Sequence, residues 1–228
     1  MKINIPFFSL LILTLTFFSC NDIVSNKPTA IIPEGTLINL PTDTNTSKYD
    51  SFSFEALLQE LSEKAIVLGD FDFDTLSKNW IGFAPANTEK IEETEKRLGL
   101  KLPEDYKNFL KITNGFPAVN EVEPSFLPVS EIDHLVNVNP FLVSIWGSKS
   151  PLNVHNGDKY DRALIIGGVN EEQHFFLIPP IHEFDEWEYW EFASWSPGES
   201  PHDNLQDFFK NALLFCDYLI KENENAKK

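Results

Sequence analysis

"LGLKLPEDYKNFLKITNGF", Leu98 to Phe116, holds two helix stops and one helix start. Leu98-Gly99 closes a helix, because glycine takes the left-handed dihedrals just past a helix end without penalty. Pro103 suits the first turn of the next helix, where its missing N–H costs nothing. Tyr106, Phe109, Leu110 and Thr113 recur at helical spacing and define an apolar stripe. Asn114-Gly115 ends that helix with the two residues that best tolerate left-handed geometry. The segment therefore reads as a rigid corner between two short helices.

Upstream, Asn87 and Thr88 open the first of these helices, on which Ile91, Glu95 and Leu98 share a face. Glu95 thus points inward, where an ion is costly unless it is bonded. Two readings follow: an anchor that accepts backbone N–H groups from a neighbouring loop, or a catalytic acid. Structural networks bury carboxylates as active sites do, and the anchor is the simpler reading. Ser53 caps an earlier helix whose stripe is Phe54, Leu57, Leu58, Leu61, Ala65 and Leu68, closed by Gly69. Asp70, Asp72 and Asp74 then match the first ligands of a calcium loop. The sixth position is Thr75 instead of Gly and the twelfth Ile81 instead of Glu, so a solvated acidic turn is expected.

Beyond Gly115 the period shortens. "SFLPVSEIDHL" reads as a short strand into a turn or short helix, and "RALIIGG" and "QHFFLIPP" as a hairpin across "VNEE". "EWEYWEFASW" alternates Trp187, Tyr189 and Glu191 with Glu188, Trp190 and Phe192. "SPGESPHDN" is turn chemistry, with Asp203 or Asn204 able to cap a long amphipathic helix through Ile220. Cys216 lies in its stripe and reads as a small buried hydrophobe.

Glu95, Leu98, Gly99, Leu102, Pro103, Tyr106, Phe109, Leu110, Asn114 and Gly115 together resemble the signature of the SUKH superfamily, which includes the fungal cell-wall-assembly regulator family. The later order of "FLPVSEI", "IWG", "ALIIGG", "WEYWEFASWSPGE" and a closing helix fits as well, so the resemblance spans roughly Phe54 to Ile220. It implies an α+β fold with helices packed on one face of a mainly antiparallel sheet, no shared catalytic site, and an immunity-type role of neutralising a toxin by binding. Glu95, Gly99, Pro103, Tyr106, Asn114 and Gly115 are then structural motif positions.

The N-terminus bears on location. After Lys2, Phe7 to Phe18 is an apolar run of 12 residues. That is too short for a membrane span, which needs about 20, and has signal-peptide length. "FFSC" places Ser19 before Cys20 and resembles the lipobox of bacterial lipoproteins, in which the cysteine is acylated; Phe17 stands where Leu is usual. The alternative is a plain secretory signal with a chance Cys. The expected division is a signal over 1–19, a flexible tether over 20–50 rich in Pro, Thr and Asn, a SUKH-like domain over 51–222 and a disordered tail over 223–228. An apolar patch in the tether, Ala30 to Leu40, is a possible edge strand. Export sets this chain apart from typical cytosolic members. It points to the cell envelope and to a toxin acting there. With Cys20 acylated, Cys216 has no disulfide partner.

The formal net charge is −17, which disfavours nucleic acid and anionic membrane surfaces and is compatible with a basic protein partner. No Gly-rich phosphate loop, G-x-S-x-G or H-E-x-x-H occurs, and the five His are scattered. No cofactor and no metal are expected. The densest polar cluster is "HEFDEWEYWEF". It admits three readings: an ordinary strand face, a paired-carboxylate hydrolase site, or a contact surface of Glu183, Asp185, Glu186, Trp187 and Glu188 for a basic partner. Immunity-type binding leads, with an envelope scaffold or sensor of the same fold as the alternative.

Overall fold

The structure, a computed structural model, describes residues 46–69, 79–152, 154–182, 185–193, 195 and 198–227. A short 3-10 turn, Thr46–Tyr49, precedes α1 (Phe54–Leu68). Next come α2 (Thr88–Leu98) and α3 (Glu104–Ile112), then β1 (Asp133–His134), α4 (Leu135–Val138), α5 (Pro140–Trp146) and α6 (Gly157–Arg162). The chain ends with β2 (Leu164–Gly167), β3 (Gln173–Ile178), β4 (Glu188–Ala193), β5 (Glu199–His202) and α7 (Leu205–Ala226).

The strands form one antiparallel sheet in the order β1-β2-β3-β4-β5. Alternating side chains along each strand feed opposite faces. Leu164, Ile166, Phe175, Leu177 and Tyr189 join the core beneath α1, α2, α3 and α7. Ile165, Phe176, Ile178, Trp190 and Phe192 join a second, smaller core with Leu135 of α4, Leu142 of α5 and Tyr160 of α6. The α+β class and the antiparallel sheet are as the sequence indicates. The second layer is the addition: α4, α5 and α6 are too short to carry a readable helical period, so sequence leaves them as loop.

The larger core is organised by Phe209 of α7. Its ring centroid lies 5.7 Å from Phe109 of α3, 5.1 Å from Phe126, 5.7 Å from Phe54 of α1 and 5.2 Å from Phe208. One side chain thus ties α1, α3 and α7 to the segment that bridges β2 at Gly167. Packed aromatic pairs add about 0.5–1.5 kcal/mol each beyond the area they bury.

Caps follow the sequence closely. Ser53 Oγ accepts from Ala56 N, Asn87 Oδ1 from Lys90 N and Asn204 Oδ1 from Asp207 N. Gly69 and Gly99 take the left-handed position at φ 98° and 74°. Four details differ. Pro103 sits at the N-cap, one residue before the helix. The helix ends at Ile112, and of Asn114 and Gly115 only Gly115 has positive φ. Glu199–His202 is a strand despite its turn-like composition; Pro201 is tolerated there because β5 is an edge with no further ladder to donate to. The tail read as disordered over 223–228 is helical to Ala226, since Lys, Glu and Ala readily propagate a helix already nucleated.

The tether boundary also shifts. Tyr49 is fully buried, its hydroxyl donates to Asp217 Oδ2 at 2.6 Å, and Lys210 pairs with Asp50 at 2.9 Å. Residues 46–50 therefore belong to the folded domain. The signal segment, Cys20, the Ala30–Leu40 patch, and Asp70, Asp72 and Asp74 lie outside the described residues. Among the described residues no helix is long and apolar enough to cross a membrane, and no cluster of three or more His, Cys, Asp or Glu is arranged for a metal ion.

Truncating the hub tests this account. Phe209→Ala should cost about 3–5 kcal/mol, measured by urea unfolding, whereas Phe141→Ala at a surface-exposed site should change stability by about 0.5 kcal/mol or less.

Candidate functional site

The corner between α2 and α3 is held by Glu95, which is only 4% exposed. Its Oε1 accepts from Leu102 N at 3.0 Å, and its Oε2 lies 2.5 Å from Lys101 Nζ. Lys107 Nζ is 3.5 Å from Oε1. The helix end itself is closed by Gly99 N and Leu100 N, both donating to the Glu95 carbonyl. Burial alone raises the carboxyl pKa, but Lys101, the Leu102 N–H and Lys107 outweigh it, and the net shift is downward. Both carboxylate oxygens are engaged, so Glu95 spans the turn between α2 and α3 as a structural anchor.

The following turn is equally committed. Thr113 Oγ1 accepts from Phe83 N at 2.9 Å, and Asn114 Oδ1 accepts from Val129 N at 2.8 Å. Gly115, at φ 92°, passes so close to the next segment that a Cβ there would meet Phe126 O at 2.7 Å. Tyr106 is fully buried in the core beside Phe109. At Pro103 the chain enters α3, and Asp105 in its first turn receives the Tyr189 hydroxyl of β4 at 2.5 Å. These positions build the corner and dock it on the sheet.

The acidic segment before and within β4 divides into two groups. Trp187 is half-buried and packs against the larger core. Glu188 pairs with Lys159 of α6 at 2.7 Å and accepts from Trp190 Nε1 at 3.1 Å. Both serve the domain's own packing. Asp185 and Glu186 are exposed. Asp185 N donates to His182 O at 3.0 Å while Asp185 Oδ2 accepts from His182 N at 3.2 Å, closing a compact turn. Ile181, 64% exposed, stands on the same turn. Glu183 lies outside the described residues. The structure thus brings Ile181, His182, Asp185 and Glu186 together at one end of the sheet.

A second polar cluster lies at the opposite end, beneath the loop before Phe126. Gln173 Nε2 donates to Glu191 Oε1, and Glu191 Oε2 is 3.1 Å from His202 Nε2. Glu123 Oε2 and Gln173 Oε1 are buried without a partner. Gln173 was findable from sequence: it occupies the period-two register of Phe175 and Leu177, where a polar side chain must be buried. Glu123 carried no such signal, because its loop has no period. Two shallow grooves complete the surface, one of about 490 Å³ beside Val136, Pro140 and Val143, the other of about 500 Å³ beside Phe83, Pro85 and Asn114. Each carries one cation and one carboxylate on its lining, Lys149 with Asp161 in the first and Lys90 with Glu131 in the second.

With this architecture in place, the model of the SMI1 / KNR4 family (SUKH-1) matches residues 85–221, more than half of the chain. The chain belongs to this family. The match begins three residues before α2 and ends within α7, so it takes in the corner, the sheet and α3 to α6, while α1 lies before it. No curated protein matches the chain. SUKH proteins are generally non-catalytic and bind partner proteins.

Glu95 sets a pH test. Because its folded pKa is lowered, its stabilisation is present above the ordinary carboxylate value and is lost as pH falls through the folded one. Asp217, lowered likewise because Lys64, Tyr49 and Lys48 outweigh its burial, adds to the same acid limb. Glu95→Ala should cost about 1–3 kcal/mol at neutral pH, as Leu102 N loses its acceptor. It should also flatten the fall in stability between neutral and acid pH, followed by denaturant titration at several pH values.

Proposed function

We propose that this protein is a lipid-anchored, immunity-type binding protein that occludes a basic toxin acting in the cell envelope. The observation that carries the reading is the β3–β4 turn: an exposed Ile181 beside exposed Asp185 and Glu186, on a turn closed by its own hydrogen bonds. An exposed apolar side chain next to negative charge suits a basic partner. Family membership supports partner binding as the mode of action. The net charge of −17 favours rapid, salt-sensitive encounter with a cationic surface.

Cys20 is the proposed acylation site. Acyl chains supply the membrane attachment at about 0.8 kcal/mol per buried methylene, against repulsion of the acidic domain by anionic lipid. The residues up to 45 then act as the tether between lipid and domain.

Affinity capture with the native lipoprotein tests the reading. One stoichiometric, basic, secreted protein is the expected catch; several wall-assembly proteins would instead favour a scaffold. Against the captured partner, Asp185→Lys with Glu186→Lys should slow association by about tenfold and flatten its salt dependence while leaving the fold intact. Unchanged association would remove this turn from the interface. Cys20→Ala should abolish incorporation of a fatty-acid probe and release the protein from the membrane fraction; retention of both would refute the anchor.

A further inference from the structure

We propose that Glu123 holds a proton in the closed molecule, that this proton pins the 117–125 loop over the end of the sheet, and that its loss opens the loop and uncovers Cys216. The geometry points there from three sides. Glu123 Oε2 is sealed from water with no donor, and so is Gln173 Oε1 on β3. Buried polar atoms without partners are rare because each costs free energy, and two orphan acceptors beneath one loop call for a missing donor. Protonation turns one oxygen of Glu123 into that donor and removes a buried charge in the same step.

Among the described residues, the charged groups around the loop are acids or cations already engaged in pairs. From β4, Glu191 faces Glu123 as a like charge, and its two oxygens are occupied by Gln173 Nε2 and His202 Nε2. From β5, His202 lies between Glu191 and Asp207 of α7, the latter 3.9 Å from its Nδ1. From α7, Cys216 lies close enough to sense the charge of Glu123. Lys64 of α1, which senses the same thiol, is paired with Asp217 at 2.6 Å and Glu60 at 3.1 Å. From the β2–β3 turn, Glu171 accepts from the loop's Ser125 N at 2.9 Å and from Ser125 Oγ. Burial, with the Glu191 carboxylate adding to it, accordingly pushes the Glu123 carboxyl up to about 8.

The loop is built to move as one piece. Asn120 Oδ1 accepts from Val122 N at 2.8 Å and Glu123 N at 2.9 Å, so Glu123 and Asn120 are locked together. Asn120 Nδ2 in turn donates to Cys216 Sγ at 3.7 Å. Expelling an ionised Glu123 therefore lifts Asn120 off the thiol. While the loop is shut, Cys216 is fully buried, and burial pushes its thiol up to about 12. A folded carboxyl pKa above its ordinary value means that the stabilisation is complete below the ordinary value and is lost as pH rises through about 8.

Two measurements on the full chain carrying Cys20→Ala, in which Cys216 is the sole thiol, test the clasp. Side-chain 13C NMR should show one glutamate carboxyl titrating near pH 8, absent in Glu123→Gln. Titration of every glutamate below pH 6 would overturn the proposal, and this readout needs no variant to fold. Labelling of Cys216 by a small maleimide should accelerate between pH 7 and 9 about tenfold more in this parent than in Glu123→Gln, which keeps a neutral donor in place. Parallel acceleration in the two proteins would overturn the link between the proton and the loop.

Discussion

Strand β3 serves two cores at once, and the rest of the molecule is arranged around that constraint. Phe175 and Leu177 point into the layer beneath α7, while Phe176 and Ile178 point into the layer beneath α6. A slip of one residue against β2 or β4 would exchange the two sets and place Gln173, His174 and Glu191 in the wrong environments. The register is therefore specified from both sides, more strictly than in a sheet with one wet face. β4 repeats the demand, with Tyr189 on one side and Trp190 and Phe192 on the other. The sheet is consequently held in one register by the two cores that cover it.

Charge follows a related economy. Lys64, Lys101, Lys107, Lys159, Arg97 and Arg162 are all engaged in ion pairs that tie elements together or brace a helix. Exposed pairs of this kind contribute little stability each, with a median of about 0–1 kcal/mol. Their larger consequence is for the outer surface. With 18 basic against 35 acidic side chains, each paired cation neutralises its own partner and leaves the excess acids, among them Asp185, Glu186 and Glu171, facing solvent. A strongly acidic exterior and a well-paired interior are two results of one distribution of lysines and arginines.

How much of this was legible in the sequence depended on period and punctuation. α1, α2, α3 and α7 were readable because each carries an apolar stripe with a capping side chain, a glycine or a proline at its ends. The hairpin of β2 and β3 was readable from two apolar runs around a polar turn. What escaped lacked one of these signals. α4 and α6 are only four and six residues long, less than two turns each. β5 was hidden by Pro201 and Ser200, residues that only an edge position tolerates. The acidic segment near β4 misled in part, because alternation alone does not say whether the outward face meets water or another layer. Here it meets α6, so Glu188 finds Lys159, and Trp187 folds back on the core. Glu95 was legible as a buried acid because the helical period put it beside Ile91 and Leu98. The Glu123–Gln173–Glu191 cluster, assembled from a loop and two strands, depends on tertiary placement that no local pattern encodes.

Corner and surface differ in what constrains their side chains. Glu95, Thr113, Asn114 and Gly115 spend their hydrogen-bonding capacity and steric tolerance on neighbouring backbone: Leu102 N, Phe83 N, Val129 N and the close pass at Phe126 O. Each replaces a bond that a turn would otherwise lack, so substituting any one leaves a buried backbone group unpaired or a clash. Such positions are constrained by the chain itself, whatever binds outside. Ile181, Asp185 and Glu186 are under no comparable internal demand, since the turn that carries them is closed mainly by main-chain groups and a single Asp185 oxygen. Side chains can therefore change on that turn at little cost to folding, while the corner keeps the sheet and its helices in shape. A binding module built this way separates what must stay from what is free to vary, and the separation follows from where the backbone N–H groups find their acceptors.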